Sequence, residues 1–182
     1  MSRLGDSAFR GTSRDSLAAL RTQVAETSGG SRTLKSVAAD LFGVVGVLDA
    51  QPTLRRALTD PSRSAEDRVE LTRALFEGKI GGASLDVVTA ATRSSWSRVR
   101  DLPDALEYLA TFAEVLAADK TGRLDELEDE LFRFARIVEG SPQLRAALSD
   151  NAVPPQRRAE LAVSLLEGKA GEATIRLVRQ AV

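Results

Sequence analysis

The chain repeats itself at an offset of 90 residues, and that constrains its fold more than any other feature. Gln51-Pro52-Thr53-Leu54-Arg55-Arg56-Ala57-Leu58-Thr59-Asp60 falls on Ser141-Pro142-Gln143-Leu144-Arg145-Ala146-Ala147-Leu148-Ser149-Asp150. Leu41-Phe42 falls on Leu131-Phe132, and Glu77-Gly78-Lys79 on Glu167-Gly168-Lys169. Gly81 then meets Gly171, and Ala83 meets Ala173. From Leu41 onward 19 of 52 positions are identical without a gap. Two copies at so long a period indicate a duplicated domain rather than a solenoid. The second copy stops at Val182, whereas the first continues past Trp96, so the second is expected to be truncated inside a helix.

Each copy reads as helical. Ala, Leu, Arg and Glu dominate the chain and lose little side-chain freedom in a helix. Ser13 or Ser16 can open a first helix reaching about Glu26, with Leu17, Leu20 and Val24 on one face. Gly29-Gly30 breaks it. A second helix is expected over Thr33–Asp49, then a short one with Pro52 in its first turn that ends before Asp60-Pro61. Ser64, with Asp67 three residues on, opens the next helix as a variant capping box. Leu71, Ala74 and Leu75 form its apolar stripe and Gly78 closes it. In the second copy Pro154-Pro155 opens the corresponding helix and Gly168 ends it.

Leu85 and Val88 begin a further helix towards Trp96. Leu106, Leu109, Phe112, Ala113 and Leu116 then repeat at helical spacing. This helix closes the first bundle and opens the second. The expected fold is therefore all-α: two tandem duplicated helical bundles sharing a connecting helix. Residues 1–12 form a flexible N-terminus, 13–104 the first bundle and 105–182 the second.

Composition narrows the function. The chain has no cysteine and no histidine, which removes thiolate metal sites and the commonest general base. A net charge of −1 lacks the basic excess of a nucleic-acid binder. No apolar run reaches the roughly 18 residues of a membrane span, and the N-terminus carries no signal-peptide core. A cytoplasmic protein without cofactors, metal or direct membrane insertion is expected.

Three clusters invite chemistry. Glu77-Gly78-Lys79-Ile80-Gly81-Gly82 has the flavour of a phosphate loop, but it follows a helix and lacks the P-loop order, so a helix C-cap is expected. Asp125, Glu126, Glu128, Asp129 and Glu130 could suggest a metal site. Leu124, Leu127 and Leu131 fix the buried face, which leaves the acids on solvated ones. Arg93, Arg98 and Arg100 surround Trp96, where packing at a helix end or a partner contact is favoured over nucleic acid. No nucleophile is paired with a recognisable base.

Several phrases together carry a family resemblance. They are Leu54-Arg55-Arg56-Ala57-Leu58-Thr59-Asp60-Pro61 with Leu71-Thr72-Arg73-Ala74-Leu75-Phe76-Glu77-Gly78-Lys79, Arg93-Ser94-Ser95-Trp96-Ser97-Arg98 with Asp101-Leu102-Pro103-Asp104-Ala105-Leu106, and the run from Gly122 to Phe134. With these the chain resembles the delta subunit of bacterial F-type ATP synthases in its long, high-GC Gram-positive form. The mitochondrial counterpart is the oligomycin-sensitivity-conferring protein.

The resemblance implies a non-catalytic stator component of the peripheral stalk, lying against the inner face of the cell membrane within the synthase. Its helical domain would hold N-terminal helices of alpha subunits, and a C-terminal domain, which the sequence is expected to stop short of, would grip the stalk b subunit. The family's groove lies between the first and fifth helices of the bundle. That implies candidate contact residues Leu17, Leu20, Val24, Leu85 and Val88 in copy one. In copy two it implies Leu109, Phe112, Leu116, Ile175 and Val178. The alternative is an unrelated helical adaptor that binds an amphipathic partner helix.

Overall fold

A computed structural model describes residues 9–27 and 29–182, and among them there are ten helices and no strand. The all-α expectation holds. The packing divides into two units whose division falls between Ala117 and Ala118. Of the residues assigned to a flexible N-terminus, the first eight lie outside the described residues, Phe9 is buried, and Thr12 already begins a helix.

The first unit opens with α1 (Thr12–Ala25), which buries Leu17, Leu20 and Val24 at i, i+3 and i+7. Helix α2 (Gly30–Ala50) starts three residues earlier than expected, because Gly29 and Gly30 adopt positive φ and the chain turns there directly. Leu34, Val37, Leu41, Val45 and Leu48 of α2 are buried along one stripe. Then come α3 (Pro52–Thr59), α4 (Ala65–Phe76), α5 (Gly82–Arg93) and α6 (Asp101–Asp119).

Ser64 caps α4 as expected, its hydroxyl accepting from the Asp67 N–H at 3.0 Å. The buried face of α4 differs from the expected one. Val69, Thr72 and Phe76 are buried with Arg68, while Leu71 and Leu75 are only half-buried and Ala74 is exposed. A threonine takes the centre of the seam because its polar atom is satisfied. The Thr72 hydroxyl bonds the Arg68 carbonyl at 2.9 Å and lies 3.1 Å from the Thr92 hydroxyl of α5. The leucines flank this seam and cover its edges.

The buried Arg68 guanidinium does most of the cross-linking. It donates to the carbonyls of Asp60 and Arg63 before α4, and to those of Thr92 and Arg93 at the end of α5. Buried Asp101 does the same for α6, accepting from the Ser13 hydroxyl of α1 at 2.7 Å and from the Arg98 N–H at 3.1 Å.

The second unit contains α7 (Leu124–Gly140), α8 (Pro142–Ser149), α9 (Pro155–Leu166) and α10 (Glu172–Ala181). Shifted by 90 residues, α3 and α4 have the same bounds as α8 and α9, and α5 and α10 begin at matching positions. The buried sets match as well. Leu148, Ala162, Leu166 and Val178 form the second core, and their counterparts Leu58, Thr72, Phe76 and Val88 are buried in the first. Sequence identity and core position thus follow one register.

Candidate partner-binding site

Helices α1, α4 and α5 leave between them an open groove of about 490 Å³. Ala19, Leu20 and Gln23 line it from α1, and Val69 and Arg73 from α4. Helix α5 contributes Asp86, Thr89, Ala90 and Arg93, at the i, i+3, i+4, i+7 spacing of one helix face. Ala19 and Ala90 keep the walls low between the longer side chains.

The candidate contact residues distribute unevenly around it. Leu20 lines the groove at its floor and is itself buried. Leu17, Val24, Leu85 and Val88 are buried in the first unit, their side chains turned inward. On α6, Leu109 is fully buried, while Phe112 and Leu116 are half-buried. The Arg21 guanidinium of α1 lies 5.0 Å from the Phe112 ring centre, and Phe112 stacks on Tyr108 with centres 6.5 Å apart. On α10, Val178 is buried in the second core and Ile175 packs against it.

An apolar stripe marks the side of a helix that faces its own bundle. The groove is lined instead by residues on the flanks of α1 and α5. The signal that reaches them is the second stripe on α5, a run of small and charged residues at helical spacing from Asp86 to Arg93.

The glycine-rich loop is a helix terminus. Gly78 has φ +73° and Gly168 φ +70°, and the N–H groups of Lys79 and Ile80 both return to the Phe76 carbonyl. The Lys79 ammonium donates to the Leu75 carbonyl at 2.7 Å, so the lysine neutralises the helix end.

The acidic run needs a correction. Asp125, Glu126, Glu128 and Asp129 are exposed, but Glu130 is buried. Its carboxylate accepts from the Gly171 N–H at 2.9 Å and from the Thr174 hydroxyl, capping α10 from a neighbouring helix. Asp40, at the matching position of the first copy, accepts from the Gly81 N–H at 3.0 Å and the Ser84 hydroxyl at 2.6 Å. The missed signal was an acid at 40 and 130 with a hydroxyl at 84 and 174, all in the repeat register. Among the described residues no group of acids could hold a metal ion.

Around Trp96 the fold uses two of the three arginines and leaves Arg93 exposed. The indole N–H donates to the Ala91 carbonyl at 2.8 Å, which is packing at the end of α5. Arg98 pairs with Asp101, and Arg100 with Asp104 and Asp49. No helix among the described residues is long and apolar enough to cross a membrane.

Comparison with known proteins gives this architecture relatives. Residues 111–182 match the family model described as ATP synthase delta (OSCP) subunit. The ATP synthase subunit delta of Streptomyces avermitilis is 47% identical over 173 residues, covering 94% of this chain and 63% of the relative. That of Kineococcus radiotolerans is 51% identical over 142 residues, covering 78% of this chain and 51% of the relative. The Streptomyces coelicolor protein is 43% identical over 177 residues, covering 97% and 65%. The chain therefore spans between half and two thirds of the length of these relatives. Identity this high runs through both helical units, so over nearly its whole length the chain is similar to ATP synthase delta (OSCP) subunits.

Proposed function

We propose that this chain is the helical, head-binding part of a non-catalytic stator subunit of an F-type ATP synthase. In this reading it caps the catalytic head by holding an N-terminal helix of an alpha subunit in the groove between α1 and α5. The observation that carries it is the groove itself, flanked by the first and fifth helices of a chain similar to these subunits. An amphipathic helix laid there would cover Ala19 and Ala90 and the outer edges of the otherwise buried Leu20 and Val69.

The task is mechanical. A stator has to resist rotor torque without slipping, so it needs slow dissociation more than fast association, and slow dissociation comes from well-packed apolar contact. The link to the peripheral-stalk b subunit is assigned to the family's C-terminal domain. The complex would sit at the inner face of the membrane through its other subunits.

The test is a calorimetric titration of this chain with the N-terminal peptide of the alpha subunit from the same organism. The expected result is saturable binding with a negative heat-capacity change, as apolar burial requires. A folded chain that ignores this peptide would refute the assignment. Equal binding of an unrelated amphipathic helix would favour the general adaptor instead.

A further inference from the structure

The groove is not uniformly apolar. Three ionised side chains line it: Arg73 of α4, and Asp86 and Arg93 of α5. All three are exposed, and none makes an ion pair or side-chain hydrogen bond with a described residue. Neighbouring charges are used differently, Arg68 on backbone carbonyls and Arg98 and Arg100 on aspartates. Asp86 and Arg93 stand seven residues apart on the same face of α5, two turns or about 10 Å along its axis. The wall of the groove thus carries opposite charge at its two ends, with Ala90 between them.

The second copy does not repeat this arrangement. Positions 84, 85 and 88, buried in α5, become Thr174, Ile175 and Val178, like for like. The groove-facing positions 86, 89 and 90 become Arg176, Arg179 and Gln180, and Arg73 becomes Val163. The bundle-forming residues follow the repeat, whereas the outward face changes charge sign at Asp86. On α5 folding does not call for that charge, since an exposed side chain without partners contributes little to the bundle, whereas Arg176 on α10 is half-buried and pairs with Glu172 at 3.5 Å.

We infer that Asp86 and Arg93 set the register of the helix bound in the first copy and confine that helix to it. This rests on the groove being the helix-binding site. The occupant is an amphipathic helix whose apolar stripe is flanked by an acidic side chain that meets Arg93 and, about two turns away, a basic one that meets Asp86. The planar guanidinium of Arg93 suits a carboxylate bidentately. A helix docked end for end would set like charges together at both ends, and the matching face of the second copy has no carboxylate at position 176 for the basic residue to meet.

The experiment is titration of the chain with the alpha-subunit N-terminal peptide at low and high salt, using the unaltered chain, Arg93→Glu and Asp86→Arg. Helicity and thermal midpoint serve as folding controls. One peptide per chain is expected. Each variant should bind about tenfold more weakly at low salt, with the gap narrowing at high salt. A peptide with one acidic residue changed to lysine should recover binding to Arg93→Glu. If the unaltered chain binds while both variants bind equally well, or if it takes two peptides with equal affinity, this inference is overturned and the helix-binding role stands. Absence of binding to the unaltered chain would overturn that role, and this inference with it.

Discussion

The carboxylate of Asp40 on α2 holds the Ser84 hydroxyl at the start of α5, 2.6 Å away, and Glu130 on α7 holds Thr174 at the start of α10 in the same way. Each carboxylate also takes a glycine N–H, from Gly81 or Gly171, that the helix leaves without an internal acceptor. A negative charge at a helix N-terminus is favourable in itself. Helix pairs distant in sequence are therefore joined by a cap supplied from outside the capped helix. The two copies solve this with side chains that differ by one methylene.

Removing that cap should cost stability, and more so in the second copy. Glu130→Ala leaves a half-buried N–H and a buried hydroxyl unpaired, and a loss of about 2 kcal/mol is expected. Asp40 is only half-buried, and Asp40→Ala should cost about 1 kcal/mol. Amide exchange in α10 and in α5 would read the two effects separately. Unchanged protection in both helices would mean that the caps are incidental.

Arg68 and its counterpart Arg158 should behave very differently. Arg68 donates to four carbonyls, so Arg68→Met strands several buried acceptors and should cost about 3 kcal/mol or more. Arg158 makes one bond, to the Leu148 carbonyl at 3.3 Å, and its Nε is buried without an acceptor. Arg158→Met should be far milder. Denaturant midpoints of the two variants settle the ordering, and equal losses would contradict it.

The positive φ angles at Gly78 and Gly168 predict a backbone penalty on substitution. A Cβ at either position meets nothing within 4 Å, so the cost of Gly78→Ala or Gly168→Ala is conformational alone. About 1–2 kcal/mol is expected for each. Thermal unfolding of the single variants checks this. A neutral result would show that the turn relaxes out of the left-handed region.

The turn after α3 predicts a pH response. Hydrogen bonds from the Ser62 hydroxyl and then the Ser62 N–H hold the Asp60 carboxyl below its ordinary value of 3.8, with Arg63 and Arg68 adding to the effect. A depressed folded-state pKa means that the stabilisation is complete above the unfolded value and is lost as pH falls through the folded one. The turn should therefore hold at pH 5 and loosen only in acid, below about 4. Ser62→Ala should raise the Asp60 midpoint in a carboxyl-detected NMR titration. A midpoint unmoved by that change would rule out the hydroxyl as the cause.

Much of the fold was legible because its signals are local. Pro52, the Ser64–Asp67 cap, Pro154-Pro155 and the glycines at 78 and 168 act within a turn of their own positions, and the helices begin and end beside them. The inner face of α4 was not legible, since Leu71 and Leu75 outrank Thr72 on any hydropathy reading. Only the neighbouring Thr92 makes a threonine suitable there. Glu130 resembled its exposed neighbours for the same reason: its partners lie 41 and 44 residues away. The groove was the least legible part. The family's groove between the first and fifth helices pointed to residues such as Leu17 and Val88, which are buried in the bundle, whereas the wall on α5 is small and charged.

The span of the Asp40–Ser84 bond also sets an order of events during folding. Helices α3, α4 and α5 follow one another through short turns, so their mutual contacts close small loops and form early. The carboxylate clamp closes a separation of 44 residues, and its geometry exists only once α5 already stands against α2. It is therefore expected to act as a latch that shuts after the transition state. Asp40→Ala should speed unfolding while leaving the refolding rate nearly unchanged, and an equal slowing of refolding would place the latch in the nucleus instead. Under the stator role proposed above, a latch of this kind would act on lifetime: it would lengthen the time the bundle stays shut without delaying its assembly.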